Sequence, residues 1–219
     1  RIKRFVNKGW FVYAHYNKNK KNLVKLKLSS SQLKMIKANF NFKKDINKIL
    51  KFIKNKKIHS YINMIGYLDN KSFLKSRVED KIKSLVINVL GPLEILKQIT
   101  KNMEKNKFGR ILNISSIGVK YGGSDHTYNY SLSKHTLEYL PSYFKKLTKK
   151  NILTNNLRIG VVNTKLLKKV KGKNISKRIK LIPIKRSAST QEVSKIIFDL
   201  SSDSNSYVSG QTISIAGGE

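Results

Sequence analysis

The sequence predicts an α/β fold with a doubly wound parallel sheet, and three observations lead to that class. Short β-branched or aromatic runs alternate with longer segments of helical period, which is typical of parallel strands joined by crossover helices. The 219 residues suffice for one sizeable core, and an α/β chain of this length usually stays one domain. No repeat or flexible linker interrupts the series, since proline occurs only at positions 92, 141 and 183. We therefore expect residues 1–219 to form a single domain.

Periodicity and turn residues predict the individual elements. The predicted strands are 10–16, 35–40, 58–64, 111–115, 153–159 and 212–215. The predicted helices lie near 43–55, 75–106, 126–149 and 190–201. Residues 1–8 followed by Gly9 are typical of the last turns of a helix and its C-cap.

Composition excludes several functional classes. The chain has 46 basic and 12 acidic residues, but the lysines are scattered and only seven of the basic residues are arginine, so we expect no specific nucleic-acid binding. Cysteine is absent and the four histidines show no ligand spacing, so disulfides and a metal site are not expected. Without a long apolar run or a leader-like segment, we expect a cytoplasmic protein that does not interact with membranes.

The strongest chemical pattern is Tyr130-Ser-Leu-Ser-Lys134, which follows a strand ending in Ser115 and Ser116. A tyrosine and a lysine four residues apart lie on one helix face, where the ammonium can lower the pKa of the phenol toward neutrality. The phenol can then donate or accept a proton, and a strand-end hydroxyl can hold the substrate oxygen. Alternation along the strand puts the two serines on opposite faces and favours Ser116.

The order of motifs resembles the short-chain dehydrogenase/reductase family, particularly its 3-oxoacyl-reductase-like branch, over residues 1–219. The segment 63–66 occupies the place of the family's Asn-Asn-Ala-Gly turn, and Asn88 follows position 66 by 22 residues. Ser116 follows Asn88 by 28 residues and precedes Tyr130 by 14, one more than the commonest spacing, which the loop 122–124 can absorb. These intervals match the family's Asn, Ser, Tyr, Lys tetrad.

The resemblance implies a Rossmann-like fold and a role for each member of the tetrad. Tyr130 is expected to be the general acid/base, and Lys134 to lower its pKa while binding the nicotinamide ribose. Ser116 is expected to orient the carbonyl, and Asn88 to hold a water molecule that links Lys134 to solvent.

The resemblance also implies a nicotinamide cofactor. Its expected ligands follow four strands and include the catalytic pair: Tyr16, Asn17, Lys18, Asn39, Phe40, Met64, Ile65, Gly66, Tyr130, Lys134, Gly160, Val162 and Thr164. Asn39 and Phe40 are expected near the adenine, Met64 and Ile65 near the adenosine ribose, and Thr164 and the Val162 backbone near the carboxamide. The first predicted strand ends without an acidic residue and is followed by Lys18, which favours NADP over NAD.

The N-terminal part differs from a complete dinucleotide-binding fold. In such folds the first strand is central, and a Gly-rich turn after it holds the pyrophosphate at a helix N-terminus. Neither feature occurs in this sequence, so we expect an N-terminally incomplete domain that lacks the first strand and leaves the neighbouring strands with unpaired backbone groups.

The leading hypothesis is a homo-oligomeric reductase of a small carbonyl metabolite, such as a 3-oxoacyl thioester or a keto-sugar derivative. The segments 120–129 and 165–182 are expected to line the substrate mouth. There a phosphate could be met by basic residues, namely Lys165, Lys168, Lys169, Lys171 and Arg178. The altered turn at 63–66 motivates an alternative, a catalytically silent dinucleotide-binding scaffold or sensor, and a truncated, non-functional relic is a third possibility.

Overall fold

Parallel strands with helices between them make up the structure, a computed structural model that describes residues 2–164, 167, 170 and 174–219. The strands are β1 (Val12–Tyr16), β2 (Leu33–Lys37), β3 (Ser60–Asn63), β4 (Gly109–Ser116), β5 (Ile152–Ile159) and β6 (Thr212–Ile215). The helices are α1 (Ile2–Val6), α2 (Lys21–Val24), α3 (Lys43–Ile53), α4 (Val78–Leu85), α5 (Gly91–Asn106), α6 (Tyr128–Leu137), α7 (Ser142–Thr148), α8 (Ile175–Lys180) and α9 (Thr190–Ser201). A π-helical segment, Val86–Leu90, joins α4 to α5, and a 3-10 turn, Ile117–Val119, follows β4.

All strand pairs are parallel, but the strands form two hydrogen-bonded groups. β1 pairs with β2, and the second group has the order β3-β4-β5-β6. Among the described strands, β1 and β3 therefore each have one edge without a pairing partner. The sequence predicts that a first strand is missing beside such unpaired edges, and this stays a prediction.

Two apolar layers cover the faces of the sheet. Alternation sends adjacent β4 residues to opposite sides, with Ile111 packing in one layer and Leu112 in the other. The first layer contains buried residues of α3 and α5, and the second contains residues of α1 and α9. Burial on both faces explains why β4 and β5 are almost continuously buried, and it confirms the doubly wound α/β fold.

Most predicted elements are present, and two needed correction. The predicted strand 35–40 is shifted, because β2 spans Leu33–Lys37 and Ala38 and Phe40 enter the core after the strand has ended. The predicted helix 126–149 is two helices, α6 and α7. Pro141 separates them, since it lacks an N–H and disfavours helical backbone at the preceding residue. None of the helices in the described ranges is long and apolar enough to cross a bilayer.

Candidate active site

A cleft of about 930 Å³ opens where β3, β4 and β5 end. In open parallel α/β sheets, ligands bind outside the carboxyl ends of the strands. Residues predicted for the site meet here, namely Met64, Ile65, Gly66, Ser116, Tyr130, Lys134, Gly160, Val162 and Thr164. Residues from α8 and from the segment after β6 form part of the opposite wall. Within the described residues, no group of three or more His, Asp or Glu side chains is placed to hold a metal ion.

Tyr130 lies in the first turn of α6 and reaches into the cleft. Its phenol is hydrogen-bonded with the Ser116 side chain. Burial raises the pKa of Tyr130 to about 12, and the hydrogen bond with Ser116 opposes that rise. The phenol is therefore protonated at neutral pH and can act as a proton donor.

Lys134 lies one turn after Tyr130 and is 2% exposed. Its ammonium Nζ donates to the main-chain carbonyls of Ile65 at 2.6 Å and Ile114 at 2.7 Å. Burial lowers the pKa of Lys134 to about 7. An ammonium has three donors, and the two carbonyls account for two of them, so one N–H remains for a ligand in the cleft.

The expectation that Lys134 lowers the pKa of Tyr130 toward neutrality is wrong for this arrangement. The Lys134 Nζ lies 5.8 Å from the centroid of the Tyr130 ring and is hydrogen-bonded to carbonyl oxygens. Burial of the phenol raises its pKa instead, because desolvation disfavours the charged phenolate.

The two serines at the end of β4 both line the cleft, but their hydroxyls have different partners. Ser116 lines the cleft with Tyr130. Its Oγ also accepts from the Gly118 N–H at 3.2 Å, which caps the 3-10 turn. The Ser115 hydroxyl instead donates to Glu138 at 2.6 Å, just beyond the end of α6.

Asn88 lies in the π-helical segment, and its side chain is fully buried. Pro92 is four residues later, where its ring would clash with the Asn88 carbonyl in a regular helix, and the wider turn relieves that clash. The Asn88 amide accepts from the Tyr67 N–H at 2.7 Å and donates to the Tyr67 carbonyl at 3.0 Å and to Ser133 at 2.8 Å. It thereby joins the turn after β3 to α6. The expected water link to Lys134 stays a prediction.

The loop before α6 contains two consecutive glycines, and the expectation that it absorbs an extra residue between Ser116 and Tyr130 stays a prediction. Gly122 and Gly123 both have positive φ, at 73° and 83°. A Cβ at Gly123 would lie 2.3 Å from the Ser131 Oγ, so only glycine lets this loop lie directly on α6.

Of the residues predicted to hold the adenosine end, Met64 and Ile65 line this cleft, and the five residues at 16–18, 39 and 40 do not. Tyr16 ends β1, and Asn17 and Lys18 are exposed just after it. Asn39 is in the turn before α3, where its N–H donates to Asp45 at 2.7 Å. The Phe40 side chain is 4% exposed and packs in the core, so it is not free to contact adenine.

Gly160 lies in the turn after β5, which contains no proline. Gly160 donates from its N–H to the Ile215 carbonyl at 2.8 Å, and a Cβ there would lie 2.8 Å from the Ala216 Cα. Glycine therefore permits the close approach to β6. Val162 forms a bridge with Ala188, which fixes the cleft wall next to Thr164.

Two contacts at the site were not predicted from the sequence. Asn129, directly before Tyr130, donates to Asp69 at 2.6 Å and is fully buried. Arg178, predicted to meet a phosphate, is paired with Glu219, and both line the cleft. The other lysines predicted there, at 165, 168, 169 and 171, lie outside the described residues. The contact of Asn129 could have been suspected, because a polar residue stands directly before the motif residue Tyr130. No pattern in the sequence indicated the ion pair between Arg178 and Glu219.

Comparisons with known proteins show the family. The family profile described as Enoyl-(Acyl carrier protein) reductase matches residues 2–219. The 3-oxoacyl-(acyl-carrier-protein) reductase of Buchnera aphidicola subsp. Baizongia pistaciae is 30% identical over 186 residues, or 84% of this chain and 76% of that protein. The chain belongs to the short-chain dehydrogenase/reductase family of oxidoreductases, in which it is 3-oxoacyl-reductase-like.

Solved structures share the fold. A structure titled 4-hydroxyisoleucine dehydrogenase complexed with NADH has a TM-score of 0.87 and 23% identity, and the match covers 99% of this chain and 91% of that one. YwfH, titled an NADPH dependent reductase involved in bacilysin biosynthesis, has a TM-score of 0.86 and 22% identity with the same coverage. The architecture of nearly the whole chain is therefore that of these α/β proteins.

Proposed function

We propose that the chain transfers a hydride between NADP(H) and the carbonyl or alcohol group of a small metabolite. The observation that carries this proposal is the protonated phenol of Tyr130, which lines the cleft, is hydrogen-bonded with Ser116 and lies one helical turn from Lys134. A bound nicotinamide would supply or accept the hydride; the chain must supply the proton and hold the substrate.

The side chains divide these tasks. Ser116 and the Tyr130 phenol hold the substrate oxygen, and the phenol gives that oxygen its proton during reduction. Lys134 stays close to Tyr130 because two main-chain carbonyls fix its ammonium. Asn88 holds the turn that provides one of these carbonyls, so it acts as a positioning residue.

The nicotinamide half of the cofactor fits the cleft. The free N–H of Lys134 would bind a ribose hydroxyl. Gly66, Gly160, Val162 and Thr164 would line the rest of that half. The adenosine half would be held by Tyr16, Asn17, Lys18, Asn39, Met64 and Ile65, with Phe40 contributing only through its backbone.

NADP is the proposed form, with NAD as the alternative. The end of β1 carries no carboxylate to accept from a ribose 2′-hydroxyl, and Lys18 is exposed beside it to meet a 2′-phosphate. The names of the two structural neighbours include one NADPH-dependent and one NADH-bound protein, so they support either cofactor.

The name of a relative supports a substrate class. The Buchnera protein is named for reducing a 3-oxoacyl group on an acyl carrier protein, which supports a 3-oxoacyl thioester here, and a keto-sugar derivative is the alternative. We also propose that the chain is a homo-oligomer. Apolar residues of α4, the π segment and α5 are exposed, namely Val78, Ile82, Leu90 and Leu93.

The proposal is tested with Tyr130→Phe, which keeps the ring and removes the proton donor. We expect kcat/KM for NADPH-dependent reduction of a 3-oxoacyl thioester to fall at least about 100-fold. NADPH binding, followed by the shift in melting temperature, should persist. Tyr139→Phe is the control, since Tyr139 is 75% exposed. Equal activity of wild type and Tyr130→Phe would favour the silent scaffold instead.

A further inference from the structure

The residue directly after Tyr130 carries a hydroxyl at the edge of the cleft. Ser131 lines the cleft and is 8% exposed. Its Oγ lies against two other residues of the cleft wall, because a Cβ at Gly123 would lie 2.3 Å from this atom and a Cβ at Gly118 would lie 3.8 Å from it. The Oγ has no hydrogen-bond partner among the described residues, but it is not one of the fully enclosed atoms without a partner. The accessible part of this hydroxyl therefore adjoins the cleft.

Other hydroxyls of α6 are bonded within the helix, as is common for serine and threonine. Ser133 donates to the Tyr130 carbonyl at 2.7 Å, and Thr136 donates to the Leu132 carbonyl at 3.0 Å. Within the described ranges, the Ser131 hydroxyl makes no such bond. A largely buried donor without an acceptor is costly, so this hydroxyl is suited to a ligand that supplies one.

The Ser131 hydroxyl lies close to the hydroxyl that holds the reacting oxygen in the proposed function. Ser116 Oγ and Ser131 Oγ lie 3.4 Å and 3.8 Å from the point that a Cβ on Gly118 would occupy. Because both hydroxyls border this one point, two oxygen atoms of a single small molecule can reach them together.

We propose that the Ser131 hydroxyl donates a hydrogen bond to a second carbonyl of the substrate, the thioester carbonyl of a 3-oxoacyl thioester. This inference rests on the proposed function, in which Ser116 and Tyr130 hold the ketone oxygen. In a 3-oxoacyl thioester a single methylene group separates the two carbonyl carbons, so the second oxygen stays near the first. A carbonyl oxygen is an acceptor, and the serine hydroxyl supplies the matching O–H.

This contact makes Ser131 a specificity-determining residue. A plain ketone would occupy the cleft without offering an acceptor to Ser131, and the covered hydroxyl would stay unbonded. Sites that hydrogen-bond a substrate group discriminate against analogues that lack it for this reason. The preference for a 3-oxoacyl thioester over a plain ketone should therefore depend on the hydroxyl at position 131.

The first experiment compares acetoacetyl-N-acetylcysteamine with the thioether in which a methylene group replaces its thioester carbonyl. Because the two ketones differ in intrinsic reactivity, the informative quantity is the ratio of wild-type to variant kcat/KM for each ketone. Ser131→Ala should lower kcat/KM about 10-fold for the thioester and less than about 2-fold for the thioether. Thr136→Val is the matched control, because it removes a hydroxyl from an exposed site on the same helix outside the cleft. It should leave both values unchanged.

The second experiment measures binding without turnover, with NADP and racemic 3-hydroxybutyryl-N-acetylcysteamine as the probes. Together they should raise the melting temperature of wild type and Thr136→Val more than that of Ser131→Ala. Ser131→Ala should fold, since alanine is the best helix former and is smaller than serine.

The outcomes separate the inference from the proposed function. No loss of activity in Ser131→Ala, or an equal loss for both ketones, overturns the inference and leaves the proposed function intact. Reduction of neither ketone by wild type with either cofactor overturns the proposed function. In that case the melting temperatures decide the contact, and equal shifts in wild type and Ser131→Ala overturn it.

Discussion

Glu138 and Arg158 form a two-point ion pair at the C-terminal end of α6. The Arg158 Nε donates to Glu138 Oε1 at 2.9 Å, and its Nη2 donates to Oε2 at 2.6 Å. The same Oε1 accepts from Ser115 at 2.6 Å. Since Glu138 directly follows α6, these bonds fix the C-terminal end of that helix to β4 and β5.

We predict that Glu138→Gln lowers the free energy of unfolding by about 3 kcal/mol, because it leaves a partly buried guanidinium without its counter-charge. Urea denaturation measures this loss. Asp199→Asn, which breaks the exposed pair with Lys195, should change stability by less than about 0.5 kcal/mol. Equal, small losses in both variants would mean that the pair at the end of α6 contributes no more than a surface pair.

A second set of hydrogen bonds fixes the beginning of α6. The buried side-chain amide of Asn129 donates to Asp69 at 2.6 Å and accepts from the Ser76 hydroxyl at 2.8 Å. The main-chain carbonyl of Asn129 accepts from the Ser84 hydroxyl at 3.1 Å. Because Tyr130 is the next residue, this network sets the position of the phenol.

We predict that Asn129→Ala lowers kcat about 10-fold while leaving the KM for NADPH within about 2-fold, since it displaces the proton donor but not the cofactor wall. Steady-state kinetics with both substrates varied gives the split. Asn106→Ala, at an exposed site, is the control and should leave both values unchanged. A rise in the KM for NADPH without a fall in kcat would contradict a positioning role.

The parts of this molecule that the sequence predicts well are those set by local chemistry. Runs such as β4 and β5 are apolar enough to be buried on both faces, and a glycine or proline marks where an element stops, as Pro141 does between α6 and α7. The shift of β2 was not predictable in this way, because Ala38 and Phe40 lie beyond the end of the strand but are apolar and pack in the core.

The sequence predicted some of the residues that line the cleft, but not the contacts that hold them there. Spacing brought Ser116, Tyr130 and Lys134 together, yet it could not show that two carbonyls from distant strands would bind the ammonium. The pairing of Arg178 with Glu219 also depends on tertiary contact between segments 41 residues apart. Such partners follow from the fold and leave no local pattern.

The depressed pKa of Lys134 makes stability depend on pH. The folded protein loses this proton near pH 7, whereas an unfolded lysine keeps it until about pH 10.4. Between these values the unfolded state binds more protons, so the free energy of unfolding rises with pH, by at most about 1.4 kcal/mol per pH unit. Below about pH 7, Lys134 is charged in the folded protein, so burial of its ammonium lowers the free energy of unfolding by the full amount.

We predict that Lys134→Met removes this rise between pH 7 and 9, a range in which exposed lysines stay charged in both proteins. Urea denaturation at several pH values gives the two slopes, and their difference isolates Lys134. Lys195→Met is the control, because Lys195 is exposed and should keep the wild-type slope. Parallel slopes for wild type and Lys134→Met would show that the buried lysine keeps an ordinary pKa.

The exposed apolar residues of α4 lie on one helix face, since Val78 and Ile82 are four residues apart. We predict that Ile82→Glu shifts the protein toward monomers, as measured by light scattering after size exclusion. Salt should favour wild-type association, because it screens the net charge of +34 on each copy. Val24→Glu, at another exposed apolar position, is the control. A wild-type protein that stays monomeric at high salt contradicts the proposed oligomer.

We expect the proposed preference for NADP to depend on the residue that follows β1. Asn17 is exposed directly after the strand, where a carboxylate would accept from a ribose 2′-hydroxyl and repel a 2′-phosphate. We predict that Asn17→Asp lowers the ratio of kcat/KM for NADPH to that for NADH at least about 10-fold. Asn19→Asp adds the same charge two residues further on and should change the ratio less. If the two variants change it equally, added charge alone explains the effect and position 17 has no contact with the ribose.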